Sequence, residues 1–304
     1  MSIPHKDWRW KPGHVKKALM EKIGIVANTQ SPLAAEAVAR LVGWLRERKI
    51  APLLDQDTAD AAGLDGGMEK SALAQEADLV VVLGGDGTLI GLSRLLEGRK
   101  APVLGVNLGS LGFLTEFTLE DMFPALEKVL NGDFTYEDRI MLAAEISFDG
   151  KKGVSYTALN DVLIHRGSTS QLITVRVEVN GELLNHYTSD GLIISTPTGS
   201  TAYNLSANGP IVYPSLNAII ITPICPQTLS IRPIVIPDNV TIRLSVTPRA
   251  KGNAAQATLD GQVVFGLDTR SRITIRRSED ITRIIQSPYT DYYNLLRGKL
   301  RWGE

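Results

Sequence analysis

The chain has 304 residues, 43% of them hydrophobic and 21% charged, which is ordinary for a globular protein and long enough to bury a core without staples. Its formal net charge of −1 gives no whole-molecule attraction to nucleic acid or to an anionic membrane, and no apolar run reaches the roughly 18 residues of a membrane span, so neither partner is expected. Cys225 is the only cysteine, which excludes an intrachain disulfide and a cysteine-based zinc site and suits a reducing cytoplasm, and His5, His14, His165 and His186 lack metal-ligand spacing.

Residues 1–21 carry Lys6, Arg9, Lys11, Lys16 and Lys17 with Trp8 and Trp10 and no apolar stretch of a secretory signal. They read as a surface extension, or as a helical arm or docking peptide. From residue 22 to 138 strands and helices alternate. Ile23–Ala27 is a short apolar run suited to a buried parallel strand. Ser31 and Pro32 form an N-cap and first-turn pair, followed by Ala34, Val38, Leu41 and Leu45 at helical spacing and by Arg46, Arg48 and Lys49 at the negative end of the dipole. Strands at Ala51–Leu54, Asp78–Leu83 and Pro102–Val106 are expected, with helices at Met68–Gln75, about Thr88–Leu96 and Glu120–Leu130. This βαβ rhythm predicts an α/β domain with a doubly wound parallel sheet.

After about Arg139 the period changes to two. Ile173, Val175, Val177 and Val179 alternate with polar residues and run into Asn180-Gly181, a pair suited to a type I′ hairpin turn. Val240, Ile242, Leu244 and Val246 repeat the alternation, as do Ile273 and Ile275. Residues 139–288 therefore predict a mainly antiparallel β domain. Residues 289–304 are polar and aromatic, with no clear packing partner.

Four segments could carry chemistry. Gly84-Gly85-Asp86-Gly87-Thr88 follows a buried strand, where ligands of open α/β sheets sit. Its glycines allow close backbone approach, and a following helix N-terminus favours phosphate. Asp86 would repel a phosphate unless it binds a metal, takes a proton or orients a hydroxyl; alternatively it is only the N-cap of a tight turn. No Walker A lysine follows. The second segment, Gly105 to Leu114, is either a bridge between domains or a second wall of the same cleft, with Asn107 offering an amide to a phosphate or ribose. Third, Asn160-Asp161 interrupts an apolar run, as a bulge or as a pair gripping ribose hydroxyls. The fourth runs from Ser189 to Ser206, where eight of residues 195–206 are Ser, Thr, Tyr or Asn and Tyr203 offers a flat face for a base.

Taken together, the GGDGT loop at 84–88, NLGSLGFL at 107–114, Asn160-Asp161 and DGLIISTPTGSTAY at 190–203 resemble the NAD kinase family, in the family's order, from about residue 22 onward. The pentapeptide alone is shared with lipid kinases and relatives of phosphofructokinase; the 190–203 motif is far more specific. The resemblance implies phosphorylation of the 2′-hydroxyl of the adenosine ribose of NAD by ATP, with Mg²⁺ or Mn²⁺, in a homodimer or homotetramer whose site lies between the domains. It implies Asp86 as proton acceptor and Gly84, Gly85, Gly87, Thr88, Asn107 and Gly109 as phosphate-loop residues. Asp86, Gly87, Asn160, Asp161, Asp190, Thr201, Ala202, Tyr203, Asn204, Leu205, Ser206 and Gln262 would contact NAD, with Thr188 and Thr198 at weaker contact positions. Two departures stand out: Gln171 and Gly91 occupy places where relatives often carry arginine, which bears on phosphate contacts and on NAD against NADH. A lipid kinase and a non-catalytic dinucleotide sensor are the rival readings; the hydroxyl-rich loop weighs against the first and Asp86 against the second.

Overall fold

The computed structural model describes residues 13–14, 20–148, 153–168, 171–248 and 255–301. Trp8 and Trp10 lie outside the described residues. Within the expected extension, β1 (Gly13–His14) pairs antiparallel with Thr135–Tyr136.

The N-terminal half contains β2 (Lys22–Ala27), α1 (Ala34–Glu47), β3 (Ala51–Leu54), α2 (Gln56–Ala62), α3 (Lys70–Glu76), β4 (Leu79–Leu83), α4 (Asp86–Ser93), β5 (Val103–Val106) and α5 (Met122–Leu130). The parallel strands run in the order β3-β2-β4-β5. Both faces of this sheet are covered, which is why its strands are apolar apart from the exposed Lys22 at the start of β2. Ile23, Ile25, Val81, Leu83, Leu104 and Val106 share a core with Leu41 and Leu45 of α1 and Leu126 of α5. Val80, Val82 and Val103 share the opposite core with Leu73 of α3 and Leu89 and Leu92 of α4. The chain leaves β2 toward β3 on one side and reaches β4 on the other. The crevice between the loops after β2 and β4 is thus the switch point where a ligand fits.

Four helix starts differ from expectation by two residues; α3 begins at Lys70 instead of Met68 and α5 at Met122 instead of Glu120. The helix predicted from Ser31-Pro32 begins at Ala34, because Ser31 closes a preceding turn by accepting from Ala34 N at 3.1 Å through its carbonyl. The helix expected from Thr88 begins at Asp86, with Gly85 at the N-cap position, so Asp86 is not the cap. The short helix α2 had no apolar stripe to reveal it; Thr58 and Ala59 are its buried residues.

The C-terminal half opens with β6 (Thr135–Phe148), β7 (Val154–Ala158), β8 (Asp161–His165), β9 (Ile173–Val179), β10 (Glu182–Ser189) and β11 (Gly191–Ser195). A 3₁₀ turn (Thr198–Thr201) and α6 (Tyr203–Ser206) precede β12 (Ala218–Ile224), β13 (Ile234–Pro237), β14 (Ile242–Pro248), β15 (Ala255–Leu259), β16 (Val263–Leu267), β17 (Ser271–Ile285) and α7 (Tyr292–Leu300). Asn180 and Gly181 take φ of 52° and 90°, as the hairpin requires. Six strands form an antiparallel sheet in the order β13-β12-β11-β8-β15-β16. It encloses a core with β6, β9, β14 and β17 that includes Ile164, Val175, Ile194, Ile221, Leu244 and Ile275.

The two halves are joined by a shared sheet. The strand β17 pairs antiparallel with β14 and β6, then meets β5 in parallel at Ile284 and Val103. The parallel sheet therefore runs on into eleven strands, and residue 138 falls inside β6. The C-terminal segment forms α7, anchored by Asp291, whose side chain accepts from Asn294 N at 2.9 Å.

Candidate active site

The glycine loop is shaped by close approach. A Cβ on Gly84 would lie 2.7 Å from Thr88 Oγ1 and 3.0 Å from Asn28 Cβ. The loop after β2 and the loop after β4 thus touch at the switch point, with the first turn of α4 presenting its N–H groups there. Asp86 does not point into open solvent. Its Oδ2 accepts from Phe113 N at 2.9 Å, and its Oδ1 accepts from Leu114 N at 3.1 Å, Thr115 N at 3.1 Å and Thr115 Oγ1 at 3.0 Å. Oδ1 is saturated; Oδ2 keeps room for a second donor. Asn107 is buried and braces the same loop, its Nδ2 donating to Thr115 Oγ1 at 2.9 Å and its Oδ1 accepting from Gly109 N at 2.7 Å. The amide expected to face a ligand is engaged inside its own loop.

Asn160 sits in a bend between β7 and β8, and Asp161 begins β8. The backbone of this bend is fully engaged. Its N–H groups at 159, 160 and 161 donate to Asp260, and its carbonyls accept from Thr196 Oγ1 at 2.6 Å and Thr196 N at 2.8 Å. No donor among the described residues engages the Asp161 carboxylate. Burial, helped by the charge of Asp260, pushes it up to about 7. Burial also raises Asp260 above the usual carboxylate range, against three N–H donors and Arg94 that favour its charge.

The hydroxyl-rich loop packs directly on this bend. A Cβ on Gly199 would lie 2.2 Å from Asn160 O, so only glycine lets the two backbones meet. Ser200 and Asn204 are interior struts: Asn204 Nδ2 donates to Ser200 O and Pro210 O, and its Oδ1 accepts from Thr222 Oγ1 at 2.6 Å. Thr198 Oγ1 is buried with no hydrogen-bond partner among the described residues. Thr201, Ala202 and Leu205 are half-buried and Ser206 is exposed. Tyr203 is 46% exposed and lines a cavity of about 410 Å³ with Ser206, Ile224, Cys225 and Leu229.

Gln262 crosses between the halves, its Nε2 donating to Gly87 O at 3.0 Å and its Oε1 accepting from Arg94 Nη2 at 2.6 Å. Gly91 faces this contact: a Cβ there would lie 3.4 Å from Gln262 Oε1. The remaining candidates lie at the far end of β11. Asp161 pairs with Ser195 and His165 with Gly191, so Asp190 sits about 16 Å from the bend at about 3.3 Å per residue. Asp190 pairs with Arg166 at 2.8 Å, its N donates to Ile224 O, and Thr188 O accepts from Gln227 N. Thr188 Oγ1 meets Thr174 Oγ1 at 3.0 Å, and Gln171 is exposed in the loop before β9. Asp190 and Thr188 thus share Ile224–Gln227 with the Tyr203 cavity, while Asp86, Gly87, Asn160, Asp161 and Gln262 gather at the other end. Sequence reading missed Asn28, Arg94 and Asp260; for Asp260 the turn pair Asp260-Gly261 after an apolar strand was the available signal.

Among the described residues no group of three or more His, Cys, Asp or Glu side chains could hold a metal, and no helix is long and apolar enough to cross a membrane. Residues 23–134 match the model of the ATP-NAD kinase N-terminal domain, and residues 159–287 that of the ATP-NAD kinase C-terminal domain. The NAD kinases of Geotalea daltonii and Geobacter metallireducens are 46% and 47% identical to it, over 94% of this chain and 100% of theirs. The crystal structure of yeast NADH kinase complexed with NADH superposes with a TM-score of 0.87 at 25% identity, covering 100% of this chain and 93% of that one. An NAD kinase from Archaeoglobus fulgidus in complex with ATP superposes at 0.74, also at 25% identity, over 92% and 98%. The chain belongs to the ATP-NAD kinase family.

Proposed function

We propose that this chain transfers the γ-phosphoryl group of ATP to the 2′-hydroxyl of the adenosine ribose of NAD, giving NADP and ADP. The observation that carries this reading is the bond from Gln262 Nε2 to Gly87 O, which brings the Asp86 loop and the Asn160–Asp161 bend to one cleft. Family membership supports the reaction class, and the relatives crystallised with NADH and with ATP support the two ligand types.

The donor phosphates rest on the glycine loop, against the N–H groups at the start of α4. Mg²⁺ or Mn²⁺ would enter with ATP, bound through its phosphates, and would neutralise their charge during transfer. Asn160 and Asp161 grip ribose hydroxyls with side chains that the engaged backbone leaves as the bend's only free groups. Tyr203 stacks on a base, and the run of about 16 Å along β11 lets an extended dinucleotide reach toward Asp190 and Thr188. Oδ2 of Asp86 accepts the proton of the attacking hydroxyl. A carboxylate is a weak base toward an alcohol, so the proton moves late, and positioning supplies most of the rate.

We propose a cytoplasmic homodimer or homotetramer. Edge strand β13 exposes Ile234 and Val235 beside Leu229, an apolar rim suited to a second copy. Sedimentation of the purified chain reads the assembly. The activity itself is tested by incubating the chain with ATP, Mg²⁺ and NAD and reading NADP through an NADP-specific dehydrogenase. NADP formation supports the kinase; NAD binding without turnover supports a sensor.

A further inference from the structure

Asp260 lies outside the glycine and hydroxyl motifs, yet its carboxylate holds three successive N–H groups of the cleft. Its Oδ2 accepts from Leu159 N at 2.9 Å, and its Oδ1 accepts from Asn160 N at 2.7 Å and Asp161 N at 3.1 Å. Asp260 N donates back to Asp161 O at 3.0 Å. The arrangement repeats what Asp86 does for Phe113, Leu114 and Thr115: a single carboxylate gathers three successive N–H groups of the facing loop.

The two carboxylates are linked. Asp260 and Gly261 form the tip of the β15–β16 hairpin, with φ of 51° and 67°. Aspartate and asparagine tolerate this left-handed conformation better than most residues. From the same tip, Gln262 reaches Gly87 O, beside Asp86, and is itself held by Arg94 Nη2. The Arg94 charge favours the ionised form of Asp260, and Arg94 Nη1 is buried without a hydrogen-bond partner among the described residues. One hairpin tip therefore grips the Asn160–Asp161 bend with Asp260 and the Asp86 loop with Gln262, while Arg94 at the C-cap of α4 supplies the balancing charge.

We propose that Asp260 and Arg94 are positioning residues that hold the Asn160–Asp161 bend in register with the Asp86 loop. The proposal rests on the reading of Asn160 and Asp161 as the NAD grip. Neither residue needs to touch substrate. A carboxylate can accept all three N–H groups at once, whereas an amide at the same place turns a donor toward one of them. Breaking one end of such a link should loosen the NAD side without disturbing the phosphate donor.

The test is steady-state kinetics of full-length Asp260→Asn, Arg94→Gln, the double variant and Asn160→Ala, each shown to be folded by circular dichroism. Asp260→Asn keeps the size and the tolerance of positive φ. Expected are a rise in the KM for NAD of about tenfold for each of the first two, a KM for ATP within about twofold of the parent, and a double variant whose rise falls short of the product of the singles. The proposal is overturned by a folded Asp260→Asn or Arg94→Gln whose KM for NAD stays within about twofold, by equal rises for both substrates, or by a fully multiplicative double variant. Should Asp260→Asn not fold, Arg94→Gln decides alone by the same thresholds. Asn160→Ala separates the two layers. If it leaves the KM for NAD unchanged, the NAD grip itself is wrong and this proposal falls with it. If it raises that KM while the other two do not, only the positioning role fails.

Discussion

Gly112 is glycine because Asp86 fills the space a side chain would take: a Cβ at 112 would lie 1.8 Å from Asp86 Oδ1 and 2.4 Å from Thr115 Oγ1. Gly112→Ala must therefore displace Asp86 or the loop that donates to it. We expect at least an ~10²-fold loss of turnover with little change in melting temperature, because the loop is local and the cores are untouched. Turnover within a few-fold of the parent would mean that Asp86 need not be held there.

Asn160→Ala should raise the KM for NAD more than the KM for ATP. It removes neutral hydrogen bonds of about 0.5–1.5 kcal/mol each. The bend survives, since Asp260 and Thr196 hold its backbone and not its side chain. Equal effects on both substrates, or loss of the fold, would make the side chain structural.

Tyr203→Ala should weaken NAD binding by on the order of 1–3 kcal/mol, the scale of base–aromatic stacking. With Tyr203 46% exposed, removing its ring leaves little cavity and the melting temperature should hold. Calorimetric titration of NAD and of ATP–Mg into the variant separates the outcomes. Unchanged NAD affinity removes stacking at this ring.

Asp161 gives a pH signature. Burial and Asp260 lift its carboxyl from 3.8 to about 7. Between those values the folded state keeps a proton that the unfolded chain has released, so this group's contribution to stability falls as pH rises from about 4 to 7 and is level above. Asp161→Asn should be more stable than the parent at about pH 8, by on the order of a few kcal/mol, with the gap closing toward about pH 5. Ribose hydroxyls donate to the ionised form, so the parent's KM for NAD should fall as pH rises through about 7, and the variant's should not. A parent KM that is flat across this range would contradict the ribose contact.

The elements legible in the sequence were those with a clear period. The apolar runs of β2, β4 and β5 and the alternation of β9 and β14 each mark a face buried against a core. Helix α2 was not legible because its sequence, QDTADAA, has no apolar stripe; Thr58 is buried by hydrogen bonding to Asp55 and to Ala27 N instead. The passage of β17 into the parallel sheet was hidden too, since Ile284 and Val103 are partners from opposite halves. Within the candidate site, Asp86, Asn160 and the 196–206 loop were visible as unusual residues in apolar or glycine surroundings. Asp260 and Arg94 were not. Their partners lie about 100 and 168 residues away, and no local spacing encodes such a contact.

In the proposed reaction Asp86 accepts the proton of a ribose hydroxyl that attacks the γ-phosphorus of ATP. The most direct test is a single-turnover reaction of the parent and of Asp86→Asn with γ-³²P-labelled ATP, Mg²⁺ and NAD, with the label located by enzymatic cleavage of the product. The parent is expected to place the label on the 2′-position of the adenosine ribose. Asp86→Asn is expected to do so at least ~10²-fold more slowly while its affinity for NAD changes little. Label at any other position, or a variant that transfers phosphate at the parent's rate, would contradict the proposed reaction.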